Sequence, residues 1–260
     1  MKKISLIIIL ILTSAMANAQ TKIIAHRGFS SAAPENTLAA FQKAIELGAD
    51  YFELDVHRTT DDSLMVIHDG TVDRTSSNSK TGEIDTMSYN EVSKVCVGYS
   101  NKFGDTFENE KIPTLREALM LAKGKIKVCI EIKVYGIENE VLKTINEVGV
   151  HNDVIIFSFY YPVLAKIRQL DSSIATLLLI DKADSLSVDY AKVIKTTAIG
   201  VGPGTNITSN FIENTHNAGV EVWKWTVNEE EEMNQLINLG IDGLITNFPD
   251  KAIKIRNSRN

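Results

Sequence analysis

The chain has 260 residues, with 27 Lys and Arg against 33 Asp and Glu and a formal net charge of −6. That acidic balance argues against nucleic acid or an anionic membrane surface as the main partner, since both select a basic surplus. Two cysteines, Cys96 and Cys129, are too few for a disulfide scaffold, and no low-complexity stretch divides the chain.

In chain order, residues 1–19 read MKKISLIIILILTSAMANA, with Lys2 and Lys3 ahead of an apolar run from Leu6 to Leu12 and small residues at Ala17 and Ala19. This is the layout of a secretory signal peptide cleaved before Gln20. The run is far shorter than the roughly 20 apolar residues of a spanning helix, and no cysteine stands there to take a lipid. The expected product is an exported protein, periplasmic or secreted, with no stable membrane anchor. Removing the segment leaves 241 residues (260 minus 19) and a charge near −8, because both lysines go with it. That length suits one large core and matches the roughly 250 residues usual for an eight-stranded α/β barrel.

Beyond that segment, β-rich runs predict strands at 22–28, 51–57, 127–133, 154–159, 174–180, 198–202, 220–227 and 242–247. Amphipathic stretches predict helices near 35–47, 114–123, 138–148, 161–170, 186–195, 208–218, 229–239 and 249–257. Strict βα alternation implies a parallel sheet, and eight units are the number that closes into a (β/α)8 TIM barrel; an open doubly wound sheet is the alternative. The first helix shows the pattern. Leu38, Phe41 and Ile45 share a face, and Gly48 stands where a left-handed cap belongs.

One segment breaks the alternation. After the second strand, RTTDDS leads into a second apolar run, LMVIHD at 64–69, too soon for a crossover helix, so an antiparallel hairpin is expected. A turn centred between Asp61 and Asp62 would set Asp55 opposite His68. Residues 70–112, rich in Ser, Asn, Gly and Thr, then form a small subdomain inserted after the second strand.

Barrel chemistry sits at the C-terminal ends of strands. Those ends carry His26, Arg27, Glu53, Asp55, Glu131, Lys133, Ser158, Lys224, Trp225 and Asn247. Glu53, Asp55 and Glu131 would repel one another in a partly buried cleft, and one divalent cation relieves this. All-oxygen ligands favour Ca2+ or Mg2+ over zinc; the plainer alternative pairs the carboxylates with Arg27 and Lys133. His26 and His68 can accept and donate protons near neutral pH. Beside a cation they suit displacement at phosphorus, with Arg27 and Lys133 neutralising the oxygens. His57 is expected at the rim, His151 at the stability face, and His216 in a helix without a partner. Trp223 reads as core, and Trp225 as a surface for a substrate's apolar or cationic group.

HRG, PENTLAAFQKAIELGAD, ELDVHRTTDD, IHD, DRT, IPTLREAL, EIK, SF, WTVN and GIDGLITNFPD follow in this order along the chain. Together they resemble the glycerophosphodiester phosphodiesterases, over essentially the whole chain beyond residue 19. The resemblance implies a (β/α)8 barrel with an insertion after the second strand, and metal-dependent hydrolysis of small-molecule glycerophosphodiesters to sn-glycerol 3-phosphate and an alcohol. It places His26 and His68 at acid-base positions, Glu53, Asp55 and Glu131 at metal-ligand positions, and Arg27 and Lys133 where phosphate is contacted. The chain departs from the family in the hairpin turn, with Thr60 and Asp62 for the usual Lys and Gly, and over residues 70–112, which match patchily. A phospholipase D-like enzyme acting on intact or lyso-lipids would share the fold, but would want an apolar patch at the mouth. A non-catalytic exported protein binding metal and phosphate would lack one of the histidines.

Overall fold

The computed structural model describes residues 20–184 and 186–259, and the expected signal segment lies outside them. Lys22–Ala25 forms β1, Leu38–Leu47 α1, Tyr51–Arg58 β2 and Leu64–Val66 β3, followed by the short helices α2 (Tyr89–Val92) and α3 (Ser100–Phe103). Helix and strand then alternate through α4 (Leu115–Ala122), β4 (Lys127–Ile132), α5 (Glu138–Val148), β5 (Val154–Ser158) and α6 (Tyr161–Leu170). The series continues with β6 (Ala175–Ile180), α7 (Ser187–Val193), β7 (Ala198–Val201), α8 (Ser209–Asn217), β8 (Glu221–Lys224), α9 (Glu230–Leu239), β9 (Gly243–Thr246) and α10 (Pro249–Asn257). β1 pairs with both β2 and β9, which closes eight parallel strands into a TIM barrel, while β3 lies antiparallel on β2.

Strands buried on both faces read as near-continuous apolar runs, as in VIIFS of β5 and ATLLLI of β6. The helices have local start and stop signals. Thr37 caps α1 by accepting from Ala40 N–H, and Gly48, at φ 77°, ends it. Phe41 of α1 stacks on Phe52 of β2 at 4.3 Å, both fully buried; each such ring contributes about 1.5–3 kcal/mol. Inside the barrel, Ile24, Cys129, Phe157, Leu177, Trp223 and Ile245 form one cluster. The Trp223 indole fits because its ladder neighbour is Gly243, where a Cβ would come within 2.4 Å of the ring. The lower barrel interior is therefore a packed plug, as in other barrels whose chemistry sits at the C-terminal mouth.

The hairpin forms, with a register one residue from that expected. Val56 faces Val66 and His57 faces Met65, so Asp55 meets Ile67, whose N–H donates to the Asp55 carbonyl at 3.0 Å. The turn has odd length. Thr59 N–H donates to the Ser63 carbonyl at 3.1 Å, closing residues 59–63 around Asp61, and Asp62 takes the left-handed φ of 61° that Asp tolerates better than most residues. β3 ends at Val66 and its last bond to β2 is that of Ile67 N–H, so His68 is placed by contacts other than sheet pairing.

Between β3 and α4 the insertion has a core of its own, built from Met65, Ile67, Val72, Ile84, Val92, Val95, Val97 and Ile112. Lys102 fastens it to the barrel by donating to the Ser30 carbonyl at 2.8 Å. Both cysteines are free: Cys96 lies in the insertion and Cys129 inside the barrel. The unfolded, unreduced protein should therefore titrate as two thiols per chain, and a titre of none would contradict the separation. Among the described residues no helix is long and apolar enough to cross a membrane.

Candidate active site

β1 is shorter than its apolar run, and His26 and Arg27 sit in the turn just beyond Ala25. Arg27 (φ 54°) and Gly28 (φ 77°) are both left-handed, and a Cβ on Gly28 would lie 2.7 Å from Ala40. Only glycine lets the turn lie this close to α1. The same turn aims the Arg27 backbone N–H at Glu53 Oε2, 2.8 Å away.

Alternation along β2 puts Glu53 and Asp55 on one face, and the β2–β4 ladder pairs Asp55 with Glu131. Ligand oxygens of Glu53, Asp55 and Glu131 lie within 4.8 Å of one another. A hard dication with metal–oxygen distances of about 2.4 Å spans that separation. Lys133 Nζ stands 2.9 Å from Glu131 and 3.4 Å from Asp55, and Arg27 Nε 3.5 Å from Asp55. The salt-bridged alternative is thus realised for two carboxylates out of three. Asp55 is buried, yet Lys133 and Arg27 hold it below its ordinary value, helped by Asn36 Nδ2 donating at 2.8 Å. Burial, with the Asp55 and Glu131 charges, pushes Glu53 well above the usual carboxylate range. Burial and Asp55 likewise raise Glu131 to about 7. Without a metal, the cluster relieves its excess negative charge by taking up protons. The all-oxygen donor set, buried and one charge in excess of its basic partners, fits a resident dication.

The two histidines are held differently. His26 Nδ1 lies 2.7 Å from Asn247 Oδ1, which also accepts from Ser30 Oγ at 3.0 Å, so Nδ1 carries the proton and Nε2 is left free. Burial and the neighbouring Arg27 lower His26 to about 4. His68 Nδ1 donates to Asp69 Oδ1 at 2.7 Å, which leaves its Nε2 for the cleft. Asp69 is kept well below the carboxylate range, chiefly by the hydrogen bond from Arg74. His57 is not at the rim: it is buried, and its Nε2 lies 3.1 Å from the His68 carbonyl oxygen.

These groups line a cavity of about 140 Å³. His26, Arg27, Glu53, His68, Glu131 and Lys133 form its polar wall, and Phe157, Phe159, Leu179, Trp225 and Ile245 the apolar one. Trp225 uses its indole N–H on the Gly200 carbonyl at 3.0 Å and packs edge-on with Phe159 at 5.3 Å, so its ring meets the cavity as apolar surface. Four of the ten strand-end residues do not line the cavity: Asp55 and Asn247 lie behind it, held by Lys133 and His26, and two others are used elsewhere. Lys224 is buried with Nζ on the carbonyls of Gly202 and Thr205, and Ser158 Oγ donates to the Ile132 carbonyl. His216 does have a partner, Asp242 at 2.7 Å, and His151 pairs with Asp171 at 2.8 Å. Sequence reasoning passed over Glu35, Asn36, Asp69 and Arg74. Their signals were present in PENT, IHD and DRT, but without assigned roles.

Residues 26–251 match the sequence profile of the "Glycerophosphoryl diester phosphodiesterase family". A glycerophosphodiester phosphodiesterase of Caldanaerobacter subterraneus subsp. tengcongensis is 38% identical over 243 residues, 91% of this chain and 98% of the relative. One from Bacillus subtilis is 30% identical over 252 residues, 90% of this chain and 85% of the relative. Among solved structures, a phosphodiesterase of Oleispira antarctica in complex with the product sn-glycerol-3-phosphate is similar at a TM-score of 0.82 and 26% identity, covering 92% of this chain and 97% of that one. A glycerophosphodiester phosphodiesterase of Agrobacterium tumefaciens has a TM-score of 0.77 at 28% identity, covering 89% of this chain and 99% of that one. With profile, relatives and fold in agreement, the chain belongs to the glycerophosphoryl diester phosphodiesterase family.

Proposed function

We propose that this cleft hydrolyses glycerophosphodiesters to sn-glycerol 3-phosphate and an alcohol, with one divalent cation, Ca2+ or Mg2+, on Glu53, Asp55 and Glu131. The observation that carries the reading is the charge in the cleft. Three buried carboxylates face two basic side chains, Arg27 and Lys133. A dication and a phosphodiester monoanion would together bring that set to neutrality. Glu53, Asp55 and Glu131 would hold such a cation, which would supply charge stabilisation at the phosphoryl oxygens. Arg27 Nε is buried without a hydrogen-bond partner, which makes it a ready donor to a phosphoryl oxygen. Lys133, 2.9 Å from Glu131 and 3.4 Å from Asp55, would be the second basic group facing the same phosphate.

His26, unprotonated at neutral pH, accepts the nucleophile's proton on Nε2. His68, its ring set by Asp69, gives a proton from Nε2 to the leaving oxygen. Trp225 packs the carbon skeleton of the substrate. We place the mature protein outside the cytoplasm, periplasmic or secreted, on the signal-like residues 1–19.

With glycerophosphocholine and either cation, choline and sn-glycerol 3-phosphate should form in equal amounts, and EDTA should stop both. Turnover untouched by the chelator would remove the cation from the scheme. One observation favours a second reading, action on lyso-lipids: Tyr135, Phe159 and Tyr160 are 38–56% exposed on the loops that follow β4 and β5. Faster turnover of lysophosphatidylcholine than of glycerophosphocholine would select it.

A further inference from the structure

The motifs left without roles, PENT and DRT, meet at one residue. Arg74, from the insertion, donates through Nε to Asp69 Oδ2 at 2.5 Å, and through Nη1 and Nη2 to the two Glu35 oxygens at 3.0 and 2.8 Å. Nη1 also donates to Tyr99 Oη at 2.6 Å. Glu35 Oε1 in turn accepts from Arg27 Nη1 at 2.9 Å. An unbroken chain of charged groups therefore runs from His68 through Asp69, Arg74 and Glu35 to Arg27.

His68 needs such a restraint because it lies beyond the last ladder bond of β3, that of Ile67 N–H to the Asp55 carbonyl. His57 fixes its backbone, while Asp69 and Arg74 fix its ring. We infer that Arg74 is a positioning residue through which the insertion aligns His68 with the phosphate-binding Arg27. The inference rests on the preceding assignment of His68 as the group that protonates the leaving oxygen. Arg74 is 42% exposed, and ion pairs at such a site add little stability, so its effect falls on orientation rather than on folding. The planar guanidinium fork spans two carboxylates at once, whereas a lysine ammonium is a single point.

The test compares kcat/KM on two diesters with the cation-loaded mature chain. Choline leaves glycerophosphocholine as an alkoxide that needs a proton, while p-nitrophenolate leaves its glycerophosphodiester without one. Arg74→Ala should lower the choline reaction about 10- to 100-fold, part of the ~10²–10⁴-fold that a positioned acid provides. It should change the nitrophenyl reaction less than about threefold. Arg74→Lys should show the same split, as should Asp69→Asn, which keeps the side-chain shape should the alanine variant fold poorly. Melting temperatures should stay within a few degrees. His68→Ala is the reference. If it loses both reactions equally, the acid assignment fails and the inference with it. If His68→Ala shows the split while the Arg74 variants lose both reactions equally, or lose nothing, only the inference is overturned.

Discussion

His26→Ala and His68→Ala should each lower turnover of glycerophosphocholine by about 10²-fold or more while leaving cation binding in place. Both rings line the cavity, but neither belongs to the cluster whose oxygens converge within 4.8 Å. Each has Nδ1 engaged, with Asn247 or with Asp69, which leaves Nε2 for proton transfer. A ligand that binds only the folded state stabilises it by about 2.7 kcal/mol at a hundredfold excess over Kd, so a cation-induced rise in melting temperature reads the metal site directly. Both histidine variants should keep that rise. Its loss in a histidine variant and persistence in the carboxylate variants would mean that ligand and catalyst are exchanged.

Glu53→Gln and Asp55→Asn should abolish activity and most of the cation-induced rise, but they should differ in the metal-free protein. Burial, with the Asp55 and Glu131 charges, pushes Glu53 toward its neutral form, so a glutamine of the same shape should change metal-free stability little. Asp55 is ionised between Lys133 and Arg27. Its loss takes from both cations the buried carboxylate they share, leaving Lys133 only Glu131 and Arg27 only Glu35, and should cost up to about 3 kcal/mol, the lower end for breaking a buried pair. Chemical denaturation without metal distinguishes the two. The pH dependence follows from the same groups. Glu131, raised from 4.5 to about 7, binds more protons folded than unfolded. Its contribution to metal-free stability is therefore fully present below pH 4.5 and is lost as pH rises through about 7. A bound cation must displace these protons, so the cation-induced rise in melting temperature should be larger at about pH 8 than at about pH 5.5. A rise that shrinks with pH would contradict the burial of these carboxylates in the protonated form.

The barrel was legible because its strands are apolar runs and its helices carry a 3.6-residue stripe with recognisable caps such as Thr37 and Gly48. Strand parity sufficed to join Glu53 to Asp55, and the EIK of the neighbouring strand supplied Glu131. The hairpin register was not legible, since it turns on whether the loop holds an odd or an even number of residues. The Thr59–Ser63 bond that decides this is a property of the folded turn. A one-residue slip changes every cross-strand partner, and so Asp55 meets Ile67 in place of His68. Polar residues at strand ends could not be sorted by sequence either. Ser158 and Lys224 satisfy nearby carbonyls, while Arg27 Nε, 3.5 Å from Asp55, is buried without a hydrogen bond. The contacts that hold the groups of the cleft span long separations, 39 residues for Arg74 to Glu35 and 221 for His26 to Asn247. No local periodicity encodes them.

Attack at phosphorus with departure of the alcohol can be read from hydrolysis of glycerophosphocholine in 18O-enriched water, followed by phosphorus NMR. The products should be sn-glycerol 3-phosphate carrying the isotope on phosphorus and unlabelled choline, with no reaction once EDTA is present. Labelled choline would mean that the carbon–oxygen bond breaks, phosphocholine as product would mean that the wrong ester bond was assigned, and either result would contradict the account.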